Sequence, residues 1–438
     1  MNKLFKAIDN SPLIIFRIFF GILFACEAFG AILTGWVKEN FIDPKFTFSH
    51  IGFEWLQPLP GYGMYIYFII MGIISVLVAI GYRYRFSIIS LTLLWAGVYF
   101  MQKTSYNNHY YLLLLVSFML IFLPANKYKS LDVRLGYTKE KLYMPIWCSW
   151  VMILQVAIVY FYATVAKFYP GWLDGTFVKN LLANRTPFEW VNNLFAQRWF
   201  YMFITYMGII FDGLIIPALL YKRTRTLAVL ASLTFHIFNS VVLQIGIFPY
   251  FALSFAVFFY EPETIRRLFF KSKPKFVEIN TYNYNHKNIL TFIFIPYFII
   301  QMILPIRHWF IPGDVLYTEE GHRLSWRMML RSRSGTTYFT VVDKNTGNRL
   351  PYNLHEMLTY KQYNSFCTHP DMIWQMAQRV KKQFADQGYD VAVYANSYVS
   401  INGRNSIQLV DENVDLANEK WNYFGHSTWL IRHPEYFK

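Results

Sequence analysis

Apolar runs long enough, or nearly long enough, to cross a bilayer recur through the first 305 residues. The pattern predicts nine membrane helices, at 12–33, 62–81, 86–101, 109–124, 144–167, 201–221, 226–243, 246–260 and 289–305. After residue 305 the pattern changes. TTYFTVVDK (336–344) and YVSING (398–403) alternate polar and apolar positions and predict strands, and NTGN (345–348) predicts a hairpin turn. DMIWQMAQRVKKQFADQG (371–388) has the period of an amphipathic helix, stopped at Gly388. The expected architecture is a multi-pass α-helical membrane domain (1–305) followed by a smaller α/β-type domain (306–438), large enough to bury its own core.

The connections alternate in charge. Those after the second, fourth, sixth and eighth runs, with Lys3 and Lys6, carry 18 basic residues, and the opposite connections carry 6. Basic residues favour the cytoplasmic side, so the N-terminus is expected in the cytoplasm and the C-terminal domain outside it. The first run contains Arg17 and Glu27 and lacks an A-x-A site, so it reads as a retained helix rather than a cleaved signal. Segment 271–288, KSKPKFVEINTYNYNHKN, reads as a solvated inner loop.

Composition narrows the function classes. Hydrophobic residues make up 55% of the 438, charged residues only 15%, and the aromatic share of 20% suits interfacial belts. The net charge of +15 would suggest nucleic acid in a soluble protein; here the basic residues sit between apolar runs, so topology accounts for it. The three cysteines, Cys26, Cys148 and Cys367, form no CxxC, and no histidine spacing suggests a metal. GxGxxG, Walker and GxSxG motifs are absent, which leaves nicotinamide, ATP and acyl-serine chemistry without support.

Polar groups inside apolar runs are costly and carry the next signal. Asn107, Asn108 and His109 open the fourth run, where an Asn serves equally as a helix cap. Lys167 ends the fifth run in YFYATVAKFYPGWLDG (160–175), just before the Pro170-Gly171 break. It reads either as a lysine snorkelling to the interface or as a partly desolvated amine able to act as a base. His236, Asn239, Ser240 and Gln244 lie at helical spacing in the seventh run, as interhelical hydrogen-bonding groups or as a site. Arg17 and Glu27 read as structural. The inferred topology puts His109 and Lys167 at the same, outer ends of their helices, where a common pocket is possible.

At these residues the chain resembles a known family. The NNH block (107–109), the K-x4-W-x2-G block from Lys167, and FHIFNSVVLQIGIFPYFAL (235–253) are similar to the vitamin K-dependent gamma-glutamyl carboxylase family. So are SWRMMLRSRS (325–334) and YVSINGR (398–404). The blocks keep their order over almost the whole chain. The membrane part also resembles the wider set of bacterial horizontally transferred transmembrane domain proteins.

The resemblance implies a lyase in which a hydroquinone of the reduced vitamin K or menaquinol type is oxygenated by O2 to its epoxide. The strong base so formed removes a proton from a peptide glutamate, and CO2 then adds to give gamma-carboxyglutamate. No side chain is basic enough for that proton, so a cofactor's oxidation has to supply the energy. By motif, Lys167 is the base that starts the reaction, His109 stabilises or relays protons, Asn108 bonds the quinol head and His236 has a supporting polar role. Tyr160 lines the quinone pocket, with Trp326, Met328, Met329 and Arg331 near the glutamate and quinone sites. The implied partners are a glutamate-containing peptide or protein, a quinol and the lipid bilayer of the inner (plasma) membrane, with a periplasmic C-terminal domain; no metal and no nucleic acid are expected. The chain departs from the family in reading Ala166-Lys167 where the family has a lysine pair, and no cysteine precedes residue 61 in the outer loop to form the animal enzyme's inter-domain disulfide. A quinone-binding electron-transfer protein or quinol epoxidase without carboxylation is the alternative. A transporter would call for inverted repeats, which the sequence lacks.

Overall fold

The computed structural model describes residues 2–276 and 287–433. Its helical half is built from α1 (Ser11–Leu33), α2 (Gly63–Ile80), α3 (Tyr84–Met101), α4 (Asn108–Phe122), α5 (Trp147–Val165), α6 (Arg198–Leu220), α7 (Arg225–Leu243), α8 (Phe248–Ser254, prolonged by a 3-10 turn at Phe255–Phe258) and α9 (Lys287–Phe310). Among the described residues seven of these are long and apolar enough to cross a membrane. The other two expected spans are the shorter apolar helices Asn108–Phe122 and Phe248–Phe258. The chain is an integral membrane protein of seven candidate spans plus these two.

Close packing joins the first helices. A Cβ on Gly21 of α1 would come within 2.5 Å of the Ala79 backbone nitrogen of α2, so only glycine allows this approach. Phe16 of α1 meets Phe255 at 4.9 Å and Phe258 at 5.0 Å between ring centroids, tying α1 to the end of α8. Arg17 is wholly buried, and its guanidinium donates to the Ala125 carbonyl at 2.8 Å and the Lys129 carbonyl at 2.6 Å. It therefore satisfies carbonyls in the connection after α4, a structural role for an intramembrane cation.

At the same end a small antiparallel ribbon pairs β1 (Ala7–Asp9) with β2 (Tyr143–Pro145). Lys273 corrects the expectation of a solvated 271–288 loop. Its side chain is buried, with Nζ 2.7 Å from Asp9 Oδ1, 2.6 Å from Asn10 Oδ1 and 3.0 Å from Ser11 Oγ. A buried ammonium needs such a cage, and three oxygens from one helix entrance provide it. Residues 277–286 of that loop lie outside the described residues.

The second half carries a four-stranded antiparallel sheet in the order β4 (Arg349–Leu350), β3 (Arg333–Asp343), β5 (Val391–Ile401), β6 (Ile407–Gln408). β3 and β5 pair over their whole length, from Arg333 opposite Ile401 to Asp343 opposite Val391. Both strands start earlier than the alternation suggests. In β5 the stretch 391–395 is mostly buried, so it reads as a continuous apolar run rather than an alternating one. The amphipathic helix α10 (Pro370–Ala385) lays Met372, Ile373, Met376, Ala377 and Val380 against Val391, Val393, Ala395 and Val399.

This half sits on one end of the helix bundle, the end that holds Lys103, Asn108 and Tyr169. Lys103 Nζ lies 2.7 Å from Asp371 at the start of α10, and the Tyr169 hydroxyl donates to the Leu330 carbonyl. The Arg17 and Lys273 clamps are both built at the β1–β2 end of the helices.

Candidate functional site

A cavity of about 460 Å³ opens within the bundle, walled by α4, α5, α6, α7 and α8 and by the loop leading into β3. Lys167, His109, His236, Tyr160, Met328 and Met329 all face it. The remaining walls are almost entirely apolar, with Trp172, Phe211, Phe235 and Phe248 among them. The structure thus brings together the lysine, both histidines and the tyrosine singled out from sequence, from three different helices and the turn after α5.

Each polar group is held for a local reason. Asn107 caps α4 by accepting from the Tyr110 backbone N–H at 2.8 Å, which sets His109 on the first turn. The His109 ring stacks on Phe248, 3.8 Å between centroids. His236, on α7, is buried; its Nε2 is 3.1 Å from the Tyr160 hydroxyl. Its Nδ1 is buried without a hydrogen-bond partner among the described residues. Buried imidazole nitrogens are normally satisfied, and this one is left without a partner.

Lys167 follows the end of α5, and only 7% of its surface is exposed. Nζ donates to the Ala163 carbonyl at 3.1 Å and to Asp212 Oδ2 at 2.5 Å, and sits 5.1 Å from the centre of the Trp172 ring. The snorkelling reading does not hold, because the ammonium turns inward to a buried carboxylate. Asp212, on α6, was missed from sequence. Its signal was a single acid inside the apolar run 201–221, the same signal that drew attention to Lys167.

The loop before β3 runs between this cavity and a second chamber. Three of its residues other than glycine, Leu324, Trp326 and Met329, have φ of 61°, 56° and 47°, a strained backbone of the kind kept at functional sites. Tyr169 and Asn402 pin it; the Ser332 N–H donates to Asn402 Oδ1 at 2.9 Å. Asn108 serves this loop rather than the cavity wall, its amide donating to the Arg327 carbonyl at 3.3 Å. Trp326 is fully buried against Tyr111, 4.9 Å between centroids.

Arg331 points away from the cavity into a polar chamber of about 390 Å³. Lys103, Arg323, Arg331 and Arg333 line it, against the single carboxylate of Glu319, which pairs with Arg331 and Arg333. His322 and His369 complete the wall. Burial, then the nearby Arg331, push His322 far below the ordinary histidine range, so it is neutral at pH 7. His322 Nδ1 and Arg331 Nε are buried without hydrogen-bond partners among the described residues. Cationic walls with unused donors suit an anionic group such as a carboxylate.

Phe203 and Met207 of α6, and Ala231 and Thr234 of α7, line the apolar cavity and are themselves exposed. These two helices are among the least buried of the candidate spans.

The profile of the HTTM domain matches residues 5–263, more than half of the chain. The profile of the Vitamin K-dependent gamma-carboxylase, lumenal domain, matches residues 286–435. No solved structure matches the chain.

Proposed function

Because this chain belongs to the vitamin K-dependent gamma-carboxylase family, with an HTTM domain followed by that family's lumenal domain, we propose that it oxidises a membrane hydroquinone with O2 and carboxylates glutamate in a peptide partner. The observation that carries this reading is the convergence of Lys167, His109 and His236 on one apolar cavity that also receives Met328 and Met329 from the second half.

The residues present fit a reduced vitamin K or menaquinol. About 460 Å³ of apolar space suits a fused aromatic ring, and ligand pockets of this kind span roughly 300–1,000 Å³. The buried, unpartnered Nδ1 of His236 would be satisfied by a ring oxygen. Exposed lining residues on α6 and α7, such as Met207 and Ala231, would let an isoprenoid chain leave the cavity toward lipid. Met328, Met329, Phe248 and Tyr160 would hold the ring.

When bound, the reduced quinone supplies through its oxidation a base stronger than any side chain. The chain's own part begins at Lys167 Nζ, which takes the first hydroxyl proton. His109 and His236 hold or pass protons at the ring edge. Arg331 and His322 receive the glutamate carboxylate in the polar chamber, on the far side of the 326–332 loop. The dry walls let CO2 meet the deprotonated glutamate before water does. Because the basic residues concentrate in the connections at the other end of the bundle, those after the second, fourth, sixth and eighth runs, the chamber faces the outside of the cytoplasm.

The test is direct. Purified protein in detergent, given reduced vitamin K, a glutamate peptide and labelled bicarbonate, is expected to yield acid-stable label and quinone epoxide. Epoxide without label would reduce the activity to quinol oxidation. Retention of both products in Lys167→Ala would overturn the assignment of the base.

A further inference from the structure

The ion pair between Lys167 and Asp212 poses a chemical problem for that reading, on which the following inference rests. A lysine acts as a base only when its amine is neutral. Here Nζ is 2.5 Å from Asp212 Oδ2, and both side chains are about 8% exposed. The other groups around Nζ are the Ala163 carbonyl and the Trp172 ring, neither of which accepts a proton. Gly208, one turn before Asp212 on α6, would bring a Cβ only 4.0 Å from Lys167 Cε, so the lysine lies along the α6 backbone.

We propose that Lys167 and Asp212 share one proton, and that Asp212 is the internal acceptor that frees the amine. With water in the cavity the pair is ammonium and carboxylate. When an apolar ligand fills the cavity and expels water, separated charge loses its solvation. The proton then moves from Nζ to Oδ2, breaking one N–H bond and forming one O–H bond. The pair becomes amine and carboxylic acid, with no change in total charge. Nζ accepts the ligand's hydroxyl proton and is again an ammonium, while Asp212 keeps the first proton. No proton has to cross the apolar wall before the reaction starts. Asp212 is thus a positioning residue for the proton, acting through Lys167.

Infrared difference spectra on adding oxidised vitamin K, which binds without turnover, read this directly. A protonated-carboxyl band is expected to appear in the wild type, to shift with carbon-13 aspartate, and to be missing in Asp212→Asn. Quenching of tryptophan fluorescence reports binding in the same samples. Asp212→Asn is expected to lower kcat for epoxide formation about 100-fold, with the quinol KM within about 3-fold, and Asp212→Glu to recover part of the loss. Equal melting temperatures for the three proteins would show that folding is intact. Quenching without the carboxyl band overturns the shared proton and leaves the functional reading standing. No quenching in the wild type overturns both. An unchanged kcat in Asp212→Asn also overturns the inference.

Discussion

Met329 and Arg331 stand two residues apart and face different chambers. Met329 lines the apolar cavity, and Arg331 lines the cationic one. The backbone between them makes the partition: Met329 has φ of 47°, and the Leu330 carbonyl is held by the Tyr169 hydroxyl. A single strained loop thus presents an apolar side chain to one ligand and a guanidinium to another.

Arg331→Met is therefore expected to separate the two ligands. Loss of a charge-assisted bond costs roughly 1.5–3 kcal/mol, or about 10- to 100-fold in KM for the glutamate peptide. Quinone binding, read by tryptophan quenching, should stay within about 2-fold. Equal losses for both ligands would show that the loop does not divide the site. The substitution also leaves Glu319 with Arg333 as its remaining guanidinium partner, so a melting curve accompanies the kinetics.

The two halves are joined by buried charge. Lys103, in the connection between α3 and α4, meets Asp371 at 2.7 Å, and Arg323 meets the same carboxylate at 3.2 Å. Burial lowers Lys103 to about 8, against the pull of Asp371, so the pair is held at a cost. Asp371→Asn strands the buried Lys103 ammonium and is expected to destabilise the protein by about 3 kcal/mol, seen as a lower melting temperature in detergent, whereas Lys103→Met leaves Asp371 paired with Arg323 and is expected to cost less. A change under about 0.5 kcal/mol in Asp371→Asn would mean the pair is solvated.

Acid sensitivity follows from the chamber's histidines. Burial is the main cause that lowers His369 from 6.5 to about 4; Glu319 and Asp371 oppose it, and Arg323 and Arg333 add to it. Between pH 6.5 and 4 the unfolded chain takes up a proton that the folded chain does not, so stability falls as pH falls through that window. Glu319 and Asp371 behave differently. Burial raises both, but their cationic neighbours, Arg331 first for Glu319 and Arg323 first for Asp371, outweigh it and hold them below the carboxylate range. Their stabilisation is complete above about pH 4.5 and is lost below it. His369→Gln should make the fall in melting temperature between pH 6.5 and 4.5 shallower, by the share of one of several buried histidines, and leave the steeper fall below. Parallel curves for the two proteins would sink this account.

Much of this was legible in the sequence, for identifiable reasons. The helices could be read because a bilayer demands long apolar runs, and Lys167, His109 and His236 because charge and imidazole are out of place in them. Their convergence could not be read, since it depends on how α4, α5 and α7 pack. Asp212 was lost because an acid 45 positions away in sequence is invisible as a partner until α6 lies beside α5. Lys273 was misread because its run of basic neighbours suggested solvent, while its cage comes from residues more than 260 positions earlier. The cationic chamber needed the fold, because Lys103 and Arg331 belong to different halves.

The exposed cavity wall on α7 gives the last prediction. Ala231 lines the cavity and is exposed. A chain that leaves the cavity past this point of α7 meets a small side chain. Ala231→Trp puts an indole there. A hydroquinone with a long isoprenoid chain should then bind more weakly, with KM raised about 10-fold, the scale of one to two kcal/mol of lost apolar contact. A ring without the chain needs no exit, so its KM should change less than about 2-fold and its kcat should hold. If both quinols weaken alike, the indole has collapsed the cavity. If neither does, the chain leaves by another route. The contrast between the two ligands, rather than the size of either effect, is what ties the Ala231 wall to the tail.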